Sequence, residues 1–122
     1  MNLYFKGKYE EAREIFTEFI KKYKHSKYYD NALFWIGQTY FVQKDYGNAI
    51  KYFENLIVMC DNHKLPDCNK YISALYKLGE SYINSGDVDK GVEILHKVIK
   101  DYPDSEEAEL AVNTLKSLGL KD

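Results

Sequence analysis

The chain has 122 residues, of which 45% are hydrophobic and 30% charged, so it carries enough apolar side chains for one globular domain with a packed core. Its formal net charge of -2 provides no general attraction to nucleic acids or to anionic membranes. No apolar run approaches the roughly 20 residues of a membrane-spanning helix.

Apolar residues recur at helical spacing from one end of the chain to the other, as Ile15 and Phe19 do in the first segment. No alternating period of two, which would indicate strands, persists anywhere. Break signals such as Ser85-Gly86-Asp87 separate the segments, and Ser105 can cap the last one. The pattern predicts an all-α fold with helices near residues 9–23, 29–43, 46–60, 70–84, 88–101 and 105–118.

Three sequence segments near the starts of the first, third and fifth predicted helices align with one another. They read GKYEEAREIF at residues 7–16, KDYGNAIKYF at 44–53 and GDVDKGVEIL at 86–95. Ala12, Ala49 and Gly91 occupy the same slot, 37 and 42 residues apart. A small residue there lets antiparallel helices cross at the usual separation of about 8–10 Å, and Gly37 and Gly79 meet the same need on the preceding helices. The chain therefore contains an internal repeat, and the repeated unit is a pair of helices.

The matched slots resemble the tetratricopeptide repeat, in which a bulky residue, Leu-Gly and Tyr on one helix precede Ala-x3-Phe on the next and then Pro. The second repeat has Leu33, Ile36-Gly37, Tyr40, Ala49 and Phe53, and the third has Leu75, Leu78-Gly79, Tyr82, Gly91, Leu95 and Pro103. The resemblance implies one domain, an antiparallel helix-pair solenoid of about three repeats with a C-terminal capping helix. Within residues 1–122 its parts are a partial first repeat (1–25), a second repeat (29–61), an insertion (62–70), a third repeat (71–103) and the capping helix (105–119).

The opening stretch NLYFKG allows two interpretations. It differs by one residue from the common protease-tag scar NLYFQG, and it also matches the end of a first helix followed by a turn. The second interpretation explains why the repeat continues in register, with Leu3 on the slot of Tyr40 and Gly7 in the turn. We therefore expect the chain to begin inside a repeat of a longer natural protein. Because a complete first helix would cover part of the next helix's apolar face, we expect this end to self-associate through Leu3, Tyr4 and Phe5.

Residue patterns of the common catalytic and cofactor sites are missing from the sequence. It contains no phosphate-binding loop, no G-x-S-x-G and no H-E-x-x-H, and His25, His63 and His96 lie far apart without an evident base–nucleophile pairing. These observations predict a protein that is not an enzyme and binds no cofactor. A regulatory or targeting domain of a larger enzyme is an alternative that the upstream sequence would distinguish.

Cys60 and Cys68 enclose the insertion CDNHKLPDC, which lengthens the second repeat spacing. They can form a disulfide that closes the loop, as expected in an oxidising compartment, or they can remain two unpaired thiols. A third alternative is a metal site of Cys60, His63, Asp67 and Cys68, although this spacing is not one of the recurrent zinc patterns.

The tetratricopeptide resemblance implies a partner-binding cleft, because the first helix of each pair lines the concave side of such solenoids. Stepping about 100° per residue along these helices selects the positions that point away from the intra-repeat core. They are Asn31, Phe34, Gln38, Phe41 and Val42 in the second repeat and Ser73, Tyr76, Glu80 and Ile83 in the third. Trp35 lies at the edge and faces either the cleft or a repeat interface. The predicted cleft is aromatic and weakly polar, and the alternative is that several of these aromatics only pack in the core.

A narrower resemblance concerns the loops between the repeats. Tyr102-Pro103-Asp104-Ser105, followed by Ala111, is similar to the Y-P-x-S and spaced Ala of bacterial envelope repeats, and Tyr23, Ser26 and Ala32 match without the Pro. The layout resembles the C-terminal domain of the periplasmic Tol–Pal accessory family, also called cell division coordinators. The resemblance implies a periplasmic adaptor that binds a protein or peptide segment, with Tol–Pal components among its partners.

Two other functions remain open. One is that of the lipoproteins of outer-membrane β-barrel assembly, which share the Y-P-x-S motif. The other is a structural domain that self-associates through its repeats and binds no ligand. If the full-length chain lacks an export signal, the protein is cytoplasmic rather than periplasmic. In each case we expect a protein partner, no nucleic acid and no direct insertion into a membrane.

Overall fold

The computed structural model describes residues 8–119, which form six α-helices. They are α1 (Tyr9–Lys22), α2 (Tyr29–Val42), α3 (Tyr46–Asp61), α4 (Tyr71–Ser85), α5 (Val88–Asp101) and α6 (Glu106–Ser117). Each bound lies within one residue of the predicted bound, and this part of the chain contains no strand. The predicted all-α fold is confirmed. None of these six helices is long and apolar enough to cross a membrane.

The helices stack in chain order as antiparallel neighbours. Each helix packs against the next one, and in addition α2 contacts α4 and α4 contacts α6. The even-numbered helices therefore lie side by side along one face of the solenoid. The odd-numbered helices form the opposite face.

Polar side chains cap three of the helices at their first turns, and a glycine ends α4. The Asp45 carboxylate accepts a hydrogen bond from the backbone N–H of Asn48 at the start of α3, and the Ser105 hydroxyl accepts one from Ala108 at the start of α6. The predicted cap at Ser105 is thus confirmed. Gly86 ends α4 with a φ of 105°, a left-handed conformation that glycine adopts without steric strain.

The paired helices cross where the sequence places glycine. A Cβ atom added at Gly37 of α2 would lie 2.7 Å from Cε1 of Phe53 on α3. On the next pair, a Cβ atom at Gly79 of α4 would lie 2.8 Å from Cδ2 of Leu95 and 3.2 Å from the backbone oxygen of Gly91 on α5. These distances are shorter than ordinary van der Waals contacts. The helices can therefore approach this closely only because glycine has no side chain. The packing role predicted for these glycines is confirmed.

A disulfide and a long-range hydrogen bond attach the insertion between α3 and α4 to the helices. Cys60 and Cys68 form a disulfide in the structure, with their Cα atoms 6.1 Å apart. The carboxylate of Asp30, which is buried in α2, accepts a hydrogen bond from the backbone N–H of Lys70 at 2.9 Å. The insertion therefore connects the second and third repeats as well as joining two helices.

Candidate functional site

A cleft of about 300 Å³ lies on the face formed by the even-numbered helices. This α2–α4–α6 cleft is lined by Phe34 from α2, by Ser73, Tyr76, Lys77 and Glu80 from α4, and by Glu107 and Leu110 from α6. The four residues from α4 recur at intervals of three or four, so the helical period brings them to one side of that helix. Because its residues come from three helices, the cleft depends on how the repeats stack.

Lys77 is held between an aromatic ring and a carboxylate within the cleft. Its Nζ atom lies 4.3 Å from the centroid of the Phe41 ring and 3.1 Å from Oε1 of Glu80. A cation–π contact and an ion pair therefore fix the ammonium group together. Because the pair is partly exposed, it contributes only about 0–1 kcal/mol to stability, and its main effect is to orient both side chains.

The α6 side of the cleft adds negative charge and apolar surface. The Ser73 hydroxyl donates a hydrogen bond to Oε2 of Glu107 at 2.6 Å, which joins α4 to α6. Lys77 carries +1 while Glu80 and Glu107 carry -1 each, so the lining side chains sum to -1. Leu110 is 47% exposed and supplies apolar surface beside these charges. The cleft thus combines an apolar contact with a small excess of negative charge.

Tyr76 connects the cleft to α6 through its hydroxyl group. The phenol oxygen lies 3.1 Å from Oγ1 of Thr114. Burial raises the pKa of Tyr76 to about 12, and the Glu80 carboxylate acts in the same direction, while the hydrogen bond with Thr114 opposes the shift. Burial and a neighbouring acidic residue also raise the pKa values of Tyr71 and Tyr82.

These shifts predict a loss of stability in alkaline solution. An unfolded tyrosine loses its proton near pH 10, whereas folded Tyr76 keeps its proton until the pH approaches about 12. Between these values the folded state binds more protons, so the free energy of unfolding falls as the pH rises. We expect Tyr76→Phe to make this decline shallower in urea denaturation from about pH 9 to pH 11. An unchanged slope would contradict the assignment of the shift to Tyr76.

Four of the predicted cleft residues line this cleft: Phe34, Ser73, Tyr76 and Glu80. Phe34 and Tyr76, however, are each only 7% exposed and belong to the core. The Phe34 ring lies 5.6 Å from the Phe53 ring, centroid to centroid. These two aromatics are therefore packing residues that present one edge to the cleft, so the packing interpretation applies to most of their surface.

Other predicted cleft residues lie elsewhere. Ile83 packs on α5, where a Cβ atom at Gly91 would collide with its side chain, so the prediction that it points into the cleft is corrected. Asn31 and Trp35 line a separate groove between α1 and α2. The helical wheel located each position around its own helix but did not show which neighbouring helix it meets.

The remaining positions on α2 lie along its length. Phe41 contacts Lys77 and also the Tyr46 ring, 5.6 Å away between centroids, while Val42 is exposed at the end of the helix. Oε1 of Gln38 is buried and accepts no hydrogen bond from any described residue. Among these three, Phe41 is thus the residue that the structure connects to the cleft, through Lys77.

Sequence reasoning missed Lys77, Glu107 and Leu110. Lys77 lies 42 residues after Trp35, on the slot that matches it, so the repeat register contained the signal. Glu107 and Leu110 belong to α6, which the sequence indicated only as a capping helix. Its inner face completes the cleft.

The disulfide determines whether the two cysteines can hold a metal ion. With Cys60 and Cys68 bonded, neither sulfur is a thiolate that can bind a metal ion. Within residues 8–119, no group of three or more His, Cys, Asp or Glu side chains is placed to hold a metal ion. Leu3, Tyr4 and Phe5, predicted to mediate self-association, lie outside the described residues.

Comparison with known families agrees with the repeat pattern. Two tetratricopeptide repeat models match the chain, one over residues 1–63 and the other over residues 73–105. The first model alone covers 63 of the 122 residues, which is just over half. The search of curated proteins finds no match. The helix pairs, the glycine crossings and these matches together show that the chain belongs to the tetratricopeptide repeat family, whose repeats typically serve as protein–protein interaction modules.

Proposed function

We propose that the α2–α4–α6 cleft binds a short segment of a partner protein. The observation that carries this proposal is the joining of apolar and charged side chains from three helices in one open cavity of about 300 Å³. Leu110 and the exposed edge of Phe34 offer an apolar contact, and Glu107 and Glu80 offer carboxylates beside it. Buried apolar anchors with polar groups around them are typical of protein interfaces.

The charges of the cleft favour one kind of partner segment. Glu80 is already paired with Lys77, whereas Glu107 accepts a hydrogen bond from the uncharged Ser73. The uncompensated negative charge lies therefore on α6, where Glu106 and Glu109 stand in the same first turn. We infer that the bound segment carries an apolar residue next to Lys or Arg, and that its affinity falls with added salt.

For the cellular setting, we propose a bacterial envelope adaptor of the Tol–Pal type, located in the periplasm. Two observations support this proposal. The motif Tyr102-Pro103-Asp104-Ser105, followed by Ala111, is similar to the motif of bacterial envelope repeats. The disulfide between Cys60 and Cys68 is of the kind that forms in an oxidising compartment. Titration of the chain with the purified periplasmic domains of Tol–Pal proteins tests this setting separately from the cleft.

The cleft is tested by a matched pair of substitutions at exposed apolar residues. Leu110→Lys places an ammonium group in the cleft, while Val88→Lys makes the same change on α5, away from it; the two side chains are 47% and 41% exposed. Peptides selected from a displayed random library against the natural chain serve as the probe. We expect Leu110→Lys to weaken their binding about tenfold or more. The substitution removes an apolar anchor and adds a positive charge that repels the Lys or Arg of the bound segment.

Val88→Lys is the control, and one result would contradict the proposal. Val88→Lys should bind the selected peptides as tightly as the natural chain, and both variants should keep the helical circular-dichroism spectrum. Selected peptides that bind the Leu110→Lys variant with unchanged affinity would show that the cleft is not the binding site. Binding of peptides without binding of Tol–Pal domains would reject the envelope setting alone.

A further inference from the structure

A second apolar cavity, distinct from the cleft, lies between α1 and α2. This α1–α2 groove has a volume of about 190 Å³ and is lined by Ile15, Phe16, Phe19, Tyr28, Asn31, Ala32 and Trp35. Ile15 and Tyr28 are 57% and 54% exposed, the highest values among the exposed large apolar side chains of the described region. Such a concentration of exposed apolar side chains is typical of an interaction surface.

The internal repeat shows how the matching surface of the second repeat is covered. Phe16 matches Phe53 at the spacing of 37 residues, and Phe53 is fully buried because Gly37 of α2 packs over its ring. Ile15 likewise matches Tyr52, whose ring stacks on that of Tyr40 at 5.8 Å between centroids. Within residues 8–119, no helix lies over α1 as α2 lies over α3. The α1–α2 groove therefore has the shape and polarity to receive an apolar helix.

The charged residues of α1 indicate which helix occupies the groove. The first turn carries Glu10 and Glu11, and the last turn carries Lys21 and Lys22. Glu11 and Lys22 are eleven residues apart, which places them about 20° apart around the helix and about 16 Å apart along it. They therefore lie on the same edge of the apolar stripe, at its opposite ends.

This pattern is complementary to itself when two copies of α1 run antiparallel. If the twofold axis passes near residue 17, Ile15 of one copy faces Phe19 of the other. The same register brings Glu11 to within one residue, about 1.5 Å along the helix, of the position opposite Lys22 of the second copy, and symmetry repeats the pair at the other end. Within residues 8–119, the ion-pair partner of Glu11 is the exposed Lys8, at 3.3 Å.

We propose that the α1–α2 groove is a twofold interface between two copies of this chain, with Ile15 and Phe19 at its centre and two Glu11–Lys22 pairs at its ends. The surface lies at the first repeat, whereas the proposed partner cleft is formed by α4 and α6 with one residue of α2. The dimer thus leaves both clefts open. This inference does not depend on the function proposed for the cleft.

Charge reversal tests the register of the interface. Glu11→Lys or Lys22→Glu alone turns two attractive pairs into two repulsive ones, so each variant should dimerise at least about tenfold more weakly than the natural chain. An equimolar mixture of the two variants should recover dimerisation, because both pairs of the mixed dimer join opposite charges. Light scattering over a range of protein concentrations measures the mass of each sample.

Substitution at the centre of the interface provides the second arm. Ile15→Asp should abolish the dimer, while Val58→Asp, at an exposed apolar residue of α3, should leave it unchanged. A natural chain that stays monomeric at high concentration would overturn the proposal. So would a dimer that survives Ile15→Asp, or single charge variants whose mixture regains no dimer.

Discussion

Replacing Gly91 with alanine is expected to lower the free energy of unfolding by about 2–3 kcal/mol. The new Cβ atom would lie 2.6 Å from the backbone oxygen of Gly79 and 3.0 Å from the backbone nitrogen of Ile83. Because both neighbours are backbone atoms, no change of side-chain rotamer relieves the collision, and α4 and α5 must move apart. The gain of about 1 kcal/mol from replacing glycine in a helix offsets only part of this cost.

Gly47→Ala is the matched control for this experiment. Gly47 lies in the first turn of α3, and a Cβ atom there meets nothing within 4 Å. The same substitution should therefore be neutral or stabilise the domain by up to about 1 kcal/mol. Urea denaturation followed by circular dichroism compares the two variants. Equal stabilities would show that the α4–α5 crossing adjusts to a methyl group.

Reduction of the disulfide between Cys60 and Cys68 is expected to destabilise the domain by about 2–3 kcal/mol. In the chain-entropy description, the bond stabilises the fold by restricting the unfolded state, and a loop this short gives that magnitude. The loss should be greatest near the insertion, where Asp30 holds the backbone of Lys70. Urea denaturation with and without a phosphine reductant measures the difference.

Two further measurements complete the redox experiment. A variant with serine at both cysteine positions should have the stability of the reduced chain and should not respond to reductant. Intact mass after alkylation reports whether the bond is present in purified, air-equilibrated protein. Two freely alkylated thiols would count against the bond and, less directly, against the proposed periplasmic setting.

The fold could be predicted from the sequence because its determinants are local and periodic. Helix bounds follow from apolar spacing and from caps such as Ser105, whose hydroxyl accepts the Ala108 N–H as expected. The pairing of helices follows from small residues at matched slots, since Gly37 and Gly79 are needed where a Cβ atom would strike the next helix. Both signals repeat along the chain, so each copy supports the others.

The cleft was predicted less completely, because it depends on distances between repeats. A step of 100° per residue locates a side chain around its own helix but does not say which neighbour lies there. Ile83 therefore appeared to belong to the cleft, although it packs on α5. The hydrogen bond from Lys70 to Asp30 joins residues 40 apart, and no spacing rule in the sequence indicates it.

The position of α6 has a consequence for how tightly a partner is held. α6 ends the described stack and packs only on α4 and α5 among its helices, and the end units of a linear array detach with the smallest free-energy cost. When α6 detaches, the cleft loses Glu107 and Leu110, so only the fraction of molecules with α6 in place is competent to bind. The measured dissociation constant is then the intrinsic one divided by that fraction. A substitution at buried Leu115, on the side of α6 that packs in the core, would weaken binding without altering any residue that lines the cleft.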